Sequence, residues 1–301
     1  MLTIQLIESH EAAEYVNLTF APMRAKLPFV TTDGPLVAIA ATGPDGPIGL
    51  VYGEIDQQNT GHVRSLFVKA AHRNRGIARS LLRAVEEQFR KRGCLRMQIA
   101  YLTGKPSTEA LERVLSAAEW DQPLLKNLMC RLDERIRGWR AFQRATWLAD
   151  EFELFPWTEL SSEDRVTIER TQAERLWIPP DLVPFQYEKD FEPLTSFGIR
   201  YHGQPVGWMI THRLAPDTIR YTCSFIQKER QGRSRILAVY HEAYRAQSAA
   251  GVPYVLFMVP AHHPTMVKFV RRHWEGKFSV VWENRECCKS LKPQEVNNVC
   301  P

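Results

Sequence analysis

The residues whose types and spacing could do chemistry lie together in one stretch, residues 61–93, GHVRSLFVKAAHRNRGIARSLLRAVEEQFRKRG. Within it Arg73, Asn74, Arg75, Gly76, Ile77, Ala78 and Arg79 make a basic turn carrying one glycine. A helix N-terminus presents unpaired amides and a partial positive charge, so an anion can sit there. Gly76 lets the backbone come close to a bulky phosphate, and Ala78 adds little bulk beside it. Arg73, Arg75 and Arg79 add positive charge. Taken alone, the turn fits a phosphate site and equally a surface strand-to-helix connection with solvated arginines.

The flanking elements must hold that turn in place. Residues 62–68 contain Val63, Leu66, Phe67 and Val68, the composition of a strand. After the turn, Leu81, Leu82, Val85, Glu86 and Phe89 follow helical spacing, with the apolar positions on one face and Arg83, Glu87, Arg90 and Lys91 mostly off it. Gly93 ends the helix where a left-handed cap is easiest for a residue without a Cβ.

Strand, turn and helix together resemble the GNAT superfamily of acyl-CoA N-acyltransferases. The pyrophosphate loop of that family follows Arg/Gln-x-x-Gly-x-Gly/Ala between its fourth strand and third helix. Arg73, Gly76 and Ala78 fill those three positions, and Val68 stands where the family usually has a valine before the loop. The resemblance implies acetyl-CoA or a longer acyl-CoA as co-substrate, with an amine as acceptor. It also implies a fourth and fifth strand that splay apart, with pantetheine in the gap and a strand amide, that of Leu66 or Phe67, polarising the thioester carbonyl.

Proton transfer is less tightly marked. Some family members carry a glutamate eleven residues before the first loop position, and here that position holds His62. Histidine as a residue type titrates near neutrality, which suits accepting a proton from an ammonium, directly or through water. An ordinary strand-end histidine is the other reading. Glu54 and Asp56, on the preceding strand, are the fallback bases. Many members place a thiolate-protonating tyrosine in the fourth helix, where this chain has Val114. Tyr101 and Tyr52 are the substitutes within reach, or structural tyrosines; water is the other carrier for that proton, since a thiolate is a tolerable leaving group.

The remainder of the first half follows the same family order. Residues 2–8 alternate as a first strand, and residues 36–41 and 48–56 form a hairpin around Gly43-Pro44-Asp45-Gly46-Pro47. Residues 95–102 are a fifth strand, Ser107 is expected to cap a fourth helix, and residues 124–132 close the sheet. The second half then repeats the first. Val68 matches Ile226 and Gly93 matches Gly251, both at an offset of 158 residues (226 − 68 and 251 − 93). Such self-similarity points to two copies of one fold. In the second copy Gln231, Ser234 and Ile236 replace the three motif residues, and Arg220 stands at the position of His62. The donor is therefore expected in the first copy, while the second shapes or recognises the acceptor or, as the alternative, binds a donor of its own.

The expectation is thus an α/β chain of two tandem GNAT-like domains, each a mixed, mostly antiparallel twisted sheet with flanking helices. The first spans 1–133, a linker helix 134–152 carries Ile136, Trp139, Phe142 and Trp147 between the domains, the second spans 153–291, and 292–301 is a tail. The rings Trp157, Trp177, Phe185, Tyr187 and Phe191 either wall an apolar pocket or fill the second core, and core is the expected use. His262-His263 can bind metal, but nothing near them in sequence has ligand spacing, so no metal is expected.

Composition agrees with an ordinary globular chain: 301 residues, 44% hydrophobic, 24% charged, net charge +5. That modest charge suits anionic ligands without requiring nucleic acid, and no long basic stripe is present. No run is long enough to cross a bilayer, and the start lacks the pattern of a signal peptide. The six cysteines (Cys94, Cys130, Cys223, Cys287, Cys288, Cys300) show no zinc-like spacing. Reduced thiols and a cytoplasmic location are expected. The acceptor could be a small molecule or a lysine or ornithine side chain of a peptide, and the donor acyl-CoA or an acyl carrier protein. The alternative is a module that binds CoA or a partner without catalysis.

Overall fold

The structure is a computed structural model and describes residues 1–132, 134–144, 150–231, 235–277 and 279–292. It divides into unit 1, Met1–Lys126 with Glu283–Pro301, and unit 2, Asn127–Trp282. The expected Trp147, the loop residues Gly232 and Ser234, Cys300 and the tail from 293 onward lie outside the described residues. No helix among the described residues is long and apolar enough to cross a membrane.

Unit 1 is built on the strands β1 (Thr3–Leu6), β2 (Leu36–Gly43), β3 (Gly46–Ile55), β4 (Thr60–Val68) and β5 (Arg96–Leu102). Strands β1 to β4 pair antiparallel in chain order, and β5 runs parallel to β4. The helices α1 (Ala21–Arg24), α2 (Ile77–Lys91) and α3 (Thr108–Ala117) complete it. The helix α2 forms because Leu81, Leu82, Val85 and Phe89 fall on one stripe, and all four are buried against Val37, Val51, Val63 and Met97. Phe89 lies so close to the sheet that a Cβ on Gly61 would stand 2.4 Å from its ring. The opposite face is covered by a 3-10 helix, Ala12–Leu18, whose Ala12, Tyr15 and Leu18 pack on Ala38, Ala40, Leu50 and Tyr52.

Unit 2 repeats this plan with β7 (Phe152–Pro156), β8 (Phe197–Tyr201), β9 (Gln204–Ala215), β10 (Thr218–Ile226) and β11 (Tyr254–Pro260). Its helices are α4 (Arg140–Arg144), α5 (Ser162–Glu174), α6 (Arg235–Ala249) and α7 (Pro264–His273). Strands β7 to β10 pair antiparallel, and β10 to β11 parallel. The rings expected to fill the second core do so: Trp157, Trp177, Phe185, Tyr187 and Phe191 pack with Trp208 and Phe225.

The boundaries differ from a division at 133 and 153, and the reason lies in the two remaining strands. The strand β6 (Leu124–Leu132) hydrogen-bonds antiparallel to β11, from Val255↔Leu132 to Pro260↔Asn127, and so belongs to the sheet of unit 2. The strand β12 (Ser279–Ser290) pairs antiparallel with β5, from Asn284↔Leu102 to Ser290↔Arg96, and closes unit 1. Each repeat's fifth strand thus pairs with a strand that stands, in sequence, at the end of the other repeat. The expected linker helix is also revised. Residues 134–138 are 3-10, α4 is described over Arg140–Arg144, and Phe152 already opens β7. Its rings pack within unit 2: Phe142 lies 5.1 Å from His241 on α6, and Trp139 lies 6.2 Å from Phe269 on α7.

Candidate active site

Strands β4 and β5 keep company for only four residue pairs, Thr60↔Arg96 to Val63↔Ile99. Beyond Val63 they part, which leaves one edge of residues 64–68 without a strand partner on that side. A β-bulge marks the point: Tyr52 opposes Ser65 while Gly53 opposes Val63, so Arg64 is the extra residue. Bulges sharpen the local twist and re-aim a strand, which is what parting requires.

The pairing on the other edge decides which amides face the gap. The Lys69 N–H donates to the Ile48 carbonyl (2.9 Å). In an antiparallel ladder alternate residues turn the same way. Lys69 and Phe67 therefore turn their N–H groups toward β3, and Leu66 and Val68 turn theirs toward the gap. Of the two amides expected at the thioester, that of Leu66 faces the opening. The Val68 carbonyl on the same edge accepts from Arg73 Nε (3.0 Å).

That bond ties the loop back onto its strand. Arg73 also lies over the Phe67 ring, 6.0 Å from its centroid. Asn74 has φ of 60° and Gly76 φ of 77°, so the chain passes twice through the left-handed region before α2 begins. Asparagine tolerates that region and glycine occupies it freely. The first closing bond of α2 runs from the Ser80 N–H to the Gly76 carbonyl (3.0 Å), so the amides of Ile77, Ala78 and Arg79 stand ahead of the helical ladder. A Cβ on Gly76 would meet nothing within 4 Å. The turn is exposed, with Arg73, Arg75 and Arg79 at its surface. Unpaired amides, an open approach and fixed positive charge make a place for a diphosphate.

The second copy reproduces the frame. There β10 and β11 part after Tyr221↔Phe257, and Thr222 is the extra residue of the bulge, each 158 residues from its counterpart. Gln231 Nε2 donates to the Ile226 carbonyl (3.0 Å), the same bond that Arg73 makes to Val68. Gln231 is thus an equivalent of Arg73 in the loop frame. We predict that Arg73→Gln keeps the loop bond and melts within about 0.5 kcal/mol of the parent, whereas Arg73→Ala loses about 1 kcal/mol; chemical denaturation of the two variants checks it. What separates the copies is the filling. Phe67 is 36% exposed, while its counterpart Phe225 is 7% exposed, lying 5.5 Å from Trp177 and 5.0 Å from Trp208.

The proton-transfer candidates fall into three separate settings. His62 is held on both sides: Nε2 lies 2.7 Å from Asp56 Oδ2, and Nδ1 lies 2.9 Å from Gln98 Nε2 on β5. The His62–Gln98 contact spans the register pair just before the strands part. The hydrogen bonds from His62 and the Thr60 backbone hold the Asp56 carboxyl below the usual range. Glu54 accepts from Lys26 Nζ (2.6 Å) and Arg64 Nε (3.1 Å). Burial raises its pKa, but the two cations outweigh burial and the net shift is downward, which weakens Glu54 as a base. Tyr101 donates to Glu112 Oε1 on α3 (2.7 Å), and that carboxylate also accepts from Arg285 Nη1 on β12 (2.7 Å). Burial and then the Glu112 bond push the Tyr101 hydroxyl far up, so it keeps its proton and directs it at α3. Tyr52 is likewise raised, first by burial and then by Glu54.

Several partners escaped sequence reasoning: Lys26, Arg64 and Gln98 in unit 1, and Asp181 in unit 2. Asp181 Oδ2 lies 2.9 Å from His262 Nε2 and 2.7 Å from His263 Nε2, although it stands 81 and 82 residues before them. Nothing local marks such convergence. Arg64 has a detectable signal, being the one arginine inside the strand run TGHVRSLFV.

Residues 4–115 match the acetyltransferase (GNAT) family. No curated protein matches the sequence at a significant level. Among solved structures, a tandem GNAT protein from the clavulanic acid biosynthesis pathway is 15% identical with a TM-score of 0.55, over 98% of this chain and 100% of that one. A GCN5-related N-acetyltransferase from Sphaerobacter thermophilus is 15% identical with a TM-score of 0.57, over 97% and 96%. A glucosamine N-acetyltransferase region of a fungal multi-domain β-N-acetylglucosaminidase is 12% identical with a TM-score of 0.52, over 96% of this chain and 38% of that one. At these identities the likeness establishes the fold.

Proposed function

We propose, for a chain whose residues 4–115 belong to the acetyltransferase (GNAT) family and which has the tandem GNAT fold, an N-acyltransferase activity seated in unit 1. The donor is acyl-CoA, its diphosphate against the amides of Ile77, Ala78 and Arg79 with Arg73, Asn74, Arg75 and Gly76 around it. Its pantetheine arm enters the gap past Leu66, Phe67 and Val68. The observation that carries this reading is the joint occurrence of a parted β4 and β5 with an open, left-handed Gly76 at the mouth of α2.

In this reading a primary amine, of a small molecule or of a lysine or ornithine side chain, attacks the thioester carbon. The carbonyl oxygen takes the Leu66 N–H, an amide preorganised by the strand and needing no reorientation as charge develops. The C–N bond forms, the C–S bond breaks, CoA leaves as thiolate, and the excess proton on the new amide nitrogen departs through water toward that thiolate. The amine must shed its proton beforehand. His62 is the base we assign, with Asp56 steadying the imidazolium at Nε2 and Nδ1 taking the proton once the Gln98 carboxamide turns its oxygen inward. Four residues of strand separate His62 from Leu66, roughly 13 Å at about 3.3 Å each, so the proton travels through water. Water also returns a proton to the thiolate, because Tyr101 is committed to Glu112.

His62→Gln is expected to slow transfer about 100-fold at and below neutral pH, and much less at alkaline pH, where free amine is already abundant. The rate profile against pH checks it; an unchanged profile removes His62 from the chemistry. A donor screen by mass spectrometry, with acetyl-, medium- and long-chain acyl-CoA against a panel of amines, tests the activity itself. A CoA-binding sensor is the second reading, favoured by the absence of a tyrosine on α3 and by the engaged Tyr101 hydroxyl. Tight donor binding without thioester loss across the panel would select it.

A further inference from the structure

The structure assigns one more site, independent of acyl transfer. We propose that Asp181, His262 and His263 of unit 2 bind a divalent cation of Zn²⁺ character and thereby fasten residues 180–187 to the end of β11. One carboxylate oxygen and two imidazole nitrogens converge there, and the three candidate ligand atoms all lie within 4.8 Å of one another. Two imidazoles and a carboxylate suit Zn²⁺, Co²⁺ or Ni²⁺, whereas Mg²⁺ and Ca²⁺ prefer oxygen throughout. Ligand bonds to Zn²⁺ run about 2.0–2.2 Å, so tetrahedral donors stand about 3.4 Å apart. Opening the present 2.7 and 2.9 Å separations by about half an ångström would admit the ion. His262 is 64% exposed on its side chain, which leaves the remaining coordination positions to water.

The backbone on both sides is already fixed, so little ordering remains for the ion to impose. The Asp181 carbonyl accepts from Tyr187 Oη (2.8 Å), and the Pro180 carbonyl from Gln186 Nε2 (2.9 Å). The Leu182 carbonyl accepts from Trp208 Nε1 (3.0 Å) and Cys223 Sγ (3.4 Å), which anchors the segment across β9 and β10. On the other side the His263 N–H donates to the Pro260 carbonyl (3.0 Å), and the His263 carbonyl accepts from Met266 and Val267 at the start of α7. Without an ion both rings must direct an N–H at the same Asp181 oxygen. With one, each Nε2 turns over its lone pair and the proton moves to Nδ1 or to solvent. In sequence His262 and His263 have no third ligand nearby, which is why no metal is expected from the motif; the third ligand comes from a distant turn.

The test uses the untagged full-length chain, stripped with chelator and titrated with Zn²⁺ and, separately, Co²⁺. We expect one tightly held Zn²⁺ per chain by elemental analysis, a raised melting temperature, and a visible Co²⁺ spectrum of nitrogen and oxygen ligation. His263→Gln and Asp181→Asn should each weaken binding by about 100-fold or more, beyond the loss typical of an outer ligand. His262→Gln should also weaken it and serves as the variant least able to disturb folding, being the most exposed of the three. Zn²⁺ binding that survives all three substitutions overturns the proposal. So does a strong near-ultraviolet thiolate-to-cobalt band, which would put the ion on cysteine, and so does a chain that binds neither ion.

Discussion

Gly76→Glu is expected to lower affinity for CoA by more than about 100-fold while leaving the fold cooperative. Three observations set the size of the effect. Gly76 holds φ at 77°, so any residue with a Cβ takes on about 1–2 kcal/mol of strain. A Cβ there nevertheless meets nothing within 4 Å, so the strain does not spread into the core, where Ile77 and Leu81 are buried. The added carboxylate then stands in the space a diphosphate would occupy, facing it with like charge and removing the close approach. Gly76→Ala separates these contributions: it carries the strain without the charge and should lose far less affinity. Calorimetric titration with CoA, beside thermal melts of both variants, reads the result. A glutamate variant that binds CoA within threefold of the parent places the donor elsewhere.

Ending the chain at Trp282 is expected to abolish CoA binding as completely, although the cut is far along the chain from the motif. Residues from Glu283 onward belong to unit 1. Cys287 and Leu291 are fully buried in the same cluster as Leu81, Val85 and Phe89. Each contributes on the order of 1.5–3 kcal/mol by burial. Lys289 Nζ is lost from Glu86 (2.8 Å) and from the Ala118 carbonyl (2.7 Å), and Arg285 from Glu112. The β5 edge is left unpaired, a template for aggregation. Together these losses rival the net stability of a typical domain, about 5–15 kcal/mol. A fragment of residues 1–133 should fail for the same reason. Limited proteolysis and CoA titration check both; a truncated chain that melts and binds as the parent does would show that β12 is dispensable.

These two expectations also separate what could be read in the chain from what could not. The strand, turn and helix around Gly76 were legible because each carries its own local signal: a β-rich run, a glycine at a forced φ, a 3.6-residue stripe. The repeat was legible because an offset of 158 residues preserves spacing, and the structure adds that the bulges and the parting points obey it too. The exchange of β6 and β12 was not legible. Both are apolar-containing strands able to lie antiparallel beside a fifth strand, and nothing in their patterns says which of β5 or β11 each will choose. His62 was visible as a residue, but its clamp between Asp56 and Gln98 depends on register, which a single strand does not reveal. Gln231 was misjudged in the other direction. Read as a loss, it makes the bond of Arg73, because a carboxamide and a guanidinium both offer an N–H at that distance.

The exchanged strands bear on how the polypeptide is made. Domains ordinarily complete themselves one after another as they leave the ribosome. Here β5 is synthesised early and waits with a bare edge until residues 284–290 emerge, after nearly all of the second repeat has been translated. The earlier half lacks its native edge partner for that whole interval, and an open strand edge invites pairing with whatever strand is at hand.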